Sequence, residues 1–467
     1  MRKFAVFVSM LIVMLSGCQP TARPDQGAAG IGDPYYADLG NGGYDVRQYT
    51  ISLAIDPLTN EVQGSAAIDA TATKGLSSFD LDFVGLTVDS ITIDGSAATY
   101  SRTDHELIIS PAGPLKNGQE FMTVVAYHGN PSGVRGVTSA QWLKQVGWSH
   151  AQNGAINVLS EPNGAAGWYP VNDHPRDKAL YRFEITVPKP WAVAATGTLT
   201  ETVDQGAQTK YIWVMDQPLA SYLASINVDQ YTLKTLPGPD GVIIRNYFPP
   251  GYPESYIHHF DILPEMISYL ESVYGPYPFK EYGVVVANEE NPMCLDGGTA
   301  VETQTLSVHC PSEPMASEDA VVHELAHQWF GDSVSLENWK DIWLKEGMAT
   351  YAQLLWATRD SDLEALTRMV ESRLIGYLPR APVAEPPAEN LYRAEVYDGG
   401  AVVFHALRLK VGDETFFKII RTYLDRYRYG NAGTDEFVQV AEEVSGQDLQ
   451  AFFDAWLESK NQPELTP

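Results

Sequence analysis

The chain has 467 residues, of which 44% are hydrophobic and 11% aromatic, enough to bury more than one core and too many for a disordered or collagen-like polymer. Its 31 Lys+Arg and 59 Asp+Glu give a formal net charge of −28, which repels a phosphate backbone and forfeits counterion release, so nucleic acid is excluded as the main partner. A chain of this length is expected to form two domains.

At the N-terminus Arg2 and Lys3 precede an apolar run from Phe4 to Leu15, and Leu15-Ser16-Gly17-Cys18 follows. This is the order of an export signal: a charged region, an apolar region, then small residues at a cleavage site. The run is too short to span a bilayer, which takes about 20 apolar residues. The tetrapeptide resembles the lipobox of bacterial lipoproteins, which implies removal of residues 1–17 and lipid attachment at Cys18. Gln19 rather than Asp follows the cysteine, and the same resemblance then implies sorting to the outer membrane of a bacterial envelope. Residues 18–34, with Thr21, Pro24, Gly27, Gly30 and Gly32, show no periodicity and are expected to form a flexible tether. Cys294 and Cys310 remain as a pair in an oxidising compartment. A disulfide is the economical reading, with two buried free thiols as the alternative.

Residues 35–236 read as an antiparallel β domain of sandwich or saddle type. Tyr49, Ile51, Leu53 and Ile55 alternate with polar residues, as do Phe79, Leu81 and Phe83, so each run turns one apolar face to a core. Turn signals such as Asp94-Gly95 and Gly113-Pro114 separate the runs. Punctuation is dense at Thr235-Leu-Pro-Gly-Pro-Asp-Gly241, and the domain boundary is placed there. Beyond it, residues 237–467 carry helical periodicity at about 257–273, 316–331, 341–357, 362–377, 396–411, 413–428, 433–444 and 447–459. Two strand-like runs, Gly283 to Ala287 and Thr299 to Val308, lie between the first two helices.

His323-Glu324-Leu325-Ala326-His327 falls inside the second of these helices. Histidines at i and i+4 stack on one face and can share a metal, while Val322, Leu325 and Trp329 form the apolar stripe that packs. Chance is a poor account of the motif with only 10 His in the chain. A zinc hydrolase needs a third protein ligand and leaves the fourth position to water. Glu346, in Trp343-Leu-Lys-Glu-Gly-Met-Ala349 on the next helix, is the candidate.

The combination resembles the aminopeptidase N family of gluzincin metallopeptidases, whose pattern is H-E-x-x-H, 18 residues, then E within W-L-x-E-G. The resemblance implies one zinc ion held by His323, His327 and Glu346, with Glu324 as general base. Gln328-Trp-Phe-Gly-Asp332, Trp168 to Pro175 and Tyr274 to Phe279 are similar to other family segments, so the likeness covers nearly the whole chain. It implies an α+β fold in which a β-saddle domain precedes a mainly helical, thermolysin-like catalytic domain. Tyr397-Asp-Gly-Gly-Ala401 resembles Y-x-K-G-A, so Tyr397 would stabilise the oxyanion, with Gly399 where the family has Lys. The amine-recognising G-A-M-E-N segment corresponds to Thr299-Ala-Val-Glu-Thr303, of which Ala300 and Glu302 match. Glu161 falls where the family places a second polar residue beside the amine. The family commonly adds a C-terminal helical domain, whereas this chain stops at Pro467, so a short form with a more open site is expected. The implied activity is zinc-dependent release of N-terminal residues from peptides. The alternatives are a zinc endopeptidase on the same site and a surface-anchored binding protein with a non-catalytic metal site.

Overall fold

The computed structural model describes residues 25–137, 145–294, 299–374 and 382–459, together with 463 and 465. The proposed signal and Cys18 lie outside the described residues. No described helix is long and apolar enough to cross a membrane.

The alternating segments form an eight-stranded sheet in the order Thr198–Asp204, Gln208–Leu219, Ala179–Pro188, Tyr44–Asp56, Glu61–Ala72, Glu120–Gly129, Thr87–Ile93 and Ser96–Ala97. Alternation sets which face is buried: Tyr49, Ile51, Leu53 and Ile55 all lie in the core. Asp94 and Gly95 both have positive φ, 49° and 77°, and close the tight hairpin in which Ile93 pairs with Ser96. A four-stranded sheet is joined to it through Phe79, whose ring lies 5.5 Å from Tyr44 and 5.3 Å from Phe121. A five-stranded sheet, from Val134–Arg135 through Ile226–Asp229 to Ala192–Ala195, completes the domain.

Three expectations are corrected. The β domain is mixed, because Leu180 to Thr186 run parallel to Gln48 to Ala54. Alternation specifies a strand's faces but says nothing of its neighbour. The tether is shorter than residues 18–34, since Asp25–Gln26 pairs with Leu76 and Ser78, and Asp33 is buried. Finally, the boundary at residue 236/237 cuts a β-hairpin. Thr232–Pro237 pairs with Ile243–Phe248, and both belong to the second domain's sheet, which continues through Glu281–Val286 and Ser307–His309 to the edge strand Ala300–Val301. The Pro/Gly cluster is that hairpin's loop, and the junction lies between Asp229 and Thr232.

Among the described residues, the longer helices of this domain are α1 (Leu263–Tyr274), α2 (Glu318–Ala326), α3 (Trp343–Ala357), α4 (Leu363–Leu374), α5 (Ala394–Val411), α6 (Asp413–Arg426) and α7 (Thr434–Ser445). Ser317 caps α2 by accepting from the Ala320 amide, and Glu318 and Asp319 occupy its first turn, where the helix dipole favours negative charge. The apolar stripe Val322, Leu325 and Trp329 is buried as its phase requires. Side chains of the first domain clamp the second: Lys178 Nζ donates to the Asp332 and Ser333 carbonyls at 2.9 and 3.1 Å, and Tyr222 donates to the Gly331 carbonyl at 2.9 Å. Cys294 and Cys310 form a disulfide with Cα atoms 5.4 Å apart, which resolves the open alternative.

Candidate active site

The site is a cavity of about 260 Å³ where α2, α3, α5 and the edge strand meet the loop holding Glu161. Every protein residue that the sequence assigns to the chemistry lines it: Glu161, Ala300, Glu302, His323, Glu324, His327, Glu346 and Tyr397.

The helical spacing stacks His323 and His327 with ring centroids 4.9 Å apart, and the first turn of α3 brings Glu346 against them. Glu346 Oε2 lies 3.4 Å from His323 Nε2 and 3.5 Å from His327 Nε2. Donors about 2.0–2.2 Å from a tetrahedral zinc ion are about 3.3–3.5 Å from one another, so the donor set matches that ion in type and spacing. His327 Nδ1 sits 3.1 Å from the Phe330 carbonyl, which leaves Nε2 free for a metal when the ring is neutral. Burial lowers the His323 ring, keeping it neutral. Burial also acts downward on His327, but Glu302 and Glu346 overcome it and raise the ring to about 10 in the metal-free chain, so metal uptake has to displace a proton. Burial opposes ionisation of Glu346, yet Lys345 and the two imidazoles hold it well below the usual carboxylate range.

Glu324 points into the same cavity without joining the triad of His323, His327 and Glu346. Burial pushes its carboxyl well above the ordinary range, with Glu302 and Glu346 adding to the push and His327 opposing it. The Tyr397 ring stacks on His323 at 6.0 Å between centroids, and burial raises its phenol well above 10, so the hydroxyl stays a donor. Glu302 follows the edge strand directly. Its segment is tied to the end of α2 by Gln328, which donates to the Thr303 carbonyl at 3.2 Å and accepts from the Thr305 amide at 2.8 Å.

Sequence reasoning missed three contributors. Gln328 was noted only as part of a family segment. Tyr392 donates to Glu161 Oε1 at 3.0 Å. Lys345, next to a metal-ligand candidate, is buried with its ammonium against Glu161, Glu302 and Glu346. A signal existed only for Lys345, as a lone charge before Glu346 in a helix whose neighbours Trp343, Leu344 and Met348 are apolar.

A β-sheet domain packed on a helical domain, with two histidines and a glutamate converging on one cavity, defines a two-domain protein of the zinc-metallopeptidase class. The chain belongs to peptidase family M1: residues 45–223 match the Peptidase M1 N-terminal domain and residues 258–456 the Peptidase family M1 domain. It is 26% identical over 342 residues to glutamyl aminopeptidase of Sus scrofa, covering 68% of this chain and 36% of that protein. It is 24% identical over 464 residues to aminopeptidase N of Streptomyces lividans, covering 91% and 52%. The chain thus spans about a third to a half of the length of these curated relatives. Among solved structures, it resembles the M1 zinc metallopeptidase of Deinococcus radiodurans with a TM-score of 0.83 and 29% identity, covering 93% of this chain and 98% of that one. A mutant of the Deinococcus protein bound to a Tyr-Ser-Ala substrate gives a TM-score of 0.84 at 28% identity, covering 93% and 99%.

Proposed function

We propose that the chain is a zinc-dependent aminopeptidase that removes N-terminal residues from peptides. The observation that carries this reading is the position of Glu302 and Glu161, two buried carboxylates facing the cavity beside the metal triad. A peptide's terminal ammonium needs such partners when it leaves water. The tripeptide bound to the similar Deinococcus protein supports peptides as the substrate class.

When bound, zinc lowers the pKa of a water molecule towards about 7 and acts as a Lewis acid on the scissile carbonyl. Glu324, whose carboxyl faces the cavity beside the triad, takes the proton from the attacking water and passes it to the leaving amine nitrogen. Tyr397 donates its phenolic hydrogen to the oxyanion as charge develops there. Glu302 and Glu161 hold the ammonium, and their distance from the triad fixes cleavage after one residue.

The test is a panel of aminoacyl amides and matched N-acetylated peptides, with and without a chelator. Free-amine substrates should be cut and acetylated ones spared, with activity lost on chelation. Glu302→Ala should lower kcat/KM for free-amine substrates by at least about 30-fold with zinc retained, because it leaves an ammonium charge unpaired. Comparable parent activity on acetylated substrates would make the protein an endopeptidase instead.

We also propose that residues 1–17 are an export signal and that Cys18 carries a lipid, placing the enzyme on the outer membrane of a bacterial envelope. The Leu-Ser-Gly-Cys sequence supports this. Cys18→Ser should abolish acyl labelling and release the protein from the membrane fraction, and unchanged labelling would refute it.

A further inference from the structure

Lys345 has no part in the chemistry above, yet its ammonium is the hub of the site. Nζ lies 2.6 Å from Glu161 Oε1, 2.6 Å from Glu302 Oε1 and 2.7 Å from Glu346 Oε1. The ammonium donates to Glu302 and Glu346 and forms an ion pair with Glu161. The ammonium also lies 5.9 Å from the centre of the Tyr222 ring. The three carboxylates come from distant parts of the chain: the β domain, the segment directly after the edge strand, and α3.

The contacts also sort the oxygens. Glu346 gives Oε1 to Lys345 and turns Oε2 to the two imidazoles. Among the described residues, the polar contacts of Glu161 and Glu302 likewise fall on Oε1: Lys345 donates to Glu302, Tyr392 donates to Glu161, and Lys345 pairs with Glu161. Both carboxylates line the cavity. Three carboxylates gathered in one buried place repel one another unless a cation sits among them. The Lys345 ammonium is that cation for Glu161, Glu302 and Glu346.

We propose that Lys345 is a positioning residue that holds Oε1 of all three carboxylates, directing Oε2 of Glu346 to the metal and Oε2 of Glu161 and Glu302 to the terminal ammonium of the substrate. Metal retention and amine selectivity are then two readings of one contact set. The inference rests on the aminopeptidase reading for the identity of the ligand.

The experiment compares the parent with Lys345→Met, which keeps the stem and removes the charge, and with Lys345→Arg. The Arg variant keeps the charge but presents a planar fork that cannot meet three carboxylates around one point. Zinc retention is measured by competition with a chelator, and selectivity as the ratio of kcat/KM for matched free-amine and N-acetylated substrates. Lys345→Met should bind zinc at least about 10-fold more weakly, the usual scale for losing a partner that orients a ligand, and its selectivity ratio should fall at least about 10-fold. Lys345→Arg should show the same loss of selectivity, and it carries the test should the Met variant not fold. In a parent that prefers free amines, folded variants with either property unchanged overturn the role of Lys345. A fall in the melting temperature of the metal-free protein with both properties intact reduces Lys345 to a packing residue and equally overturns it. A parent without preference for the free amine instead fails the aminopeptidase reading itself, and unchanged chelator resistance in the variants would then overturn the hold on Glu346 as well.

Discussion

In the proposed mechanism Glu324 and His323, neighbours in the chain, have separate tasks, because the helix directs the imidazole towards Glu346 and the carboxylate into the cavity beside it. Glu324→Gln keeps the shape and removes the proton acceptor. Metal analysis should still find one zinc per chain while kcat falls by about 10² or more, and loss of zinc in this variant would show that Glu324 had been misassigned. These residues were legible in the sequence because metal chemistry demands particular donors at helical spacing. Glu161 was legible only through resemblance, since nothing local marks a carboxylate that acts beside residues far away in the chain. Lys345 was hidden for a related reason: a helical lysine is ordinarily solvated, and only the tertiary arrangement surrounds this one with three carboxylates.

At the scale of elements, the site depends on how closely α3 and α5 cross. A Cβ on Gly347 would sit 2.7 Å from Gly400 Cα and C, and one on Gly400 would sit 2.7 Å from Gly347 Cα, so backbone meets backbone. The crossing brings Glu346, adjacent to Gly347, to the same cavity as Tyr397, one turn before Gly400. Ala at position 347 would gain about 1 kcal/mol of helix propensity. Overpacking typically costs about 1–3 kcal/mol, and here no flexible side chain can yield, so the cost wins. Gly347→Ala should therefore lower the melting temperature and also kcat, as Tyr397 shifts from the triad; a variant as stable as the parent would show that the helices can part freely. Helix periodicity revealed α3 and α5 in the sequence, but not that two glycines set their separation. The ends of elements were less legible. The helix expected over 316–331 closes at Ala326, with His327 as its C-cap and Gly331 at φ 118° redirecting the chain soon after. The hairpin across Thr235 to Gly241 reads as a domain boundary in the sequence because hairpin loops and domain junctions share the same Pro/Gly punctuation.

On the scale of the whole molecule, the two domains are held in register partly by the segment expected to be a tether. Asp33 accepts from the amides of Tyr35, Tyr36 and Trp339 at 2.7, 3.0 and 2.9 Å, and lies 3.0 Å from His174 Nε2. His174 belongs to the first domain and Trp339 to the second, so one buried carboxylate bridges both. Burial works against its charge, but His174 and the three amides prevail and hold Asp33 at about 2. Burial keeps His174 below its ordinary value, so the pair is best described as a carboxylate receiving a hydrogen bond from a neutral imidazole. The signs of the two shifts agree. Asp33 is depressed relative to the unfolded chain, so its contribution is present above the ordinary carboxylate pKa and is lost as pH falls towards 2; by linkage it amounts to about 2 kcal/mol. His174 resists protonation in the fold, so its contribution is present above the ordinary imidazole value near 6.5 and shrinks as the unfolded state takes up protons below it. Asp33→Asn keeps the volume, removes the charge and puts an amide where a second acceptor stood. Melting temperatures of the parent and this variant, measured from pH 7 down to pH 3, should differ most near neutrality and converge in acid. A gap that widens on acidification would mean that the Asp33 carboxylate does not hold the domains together.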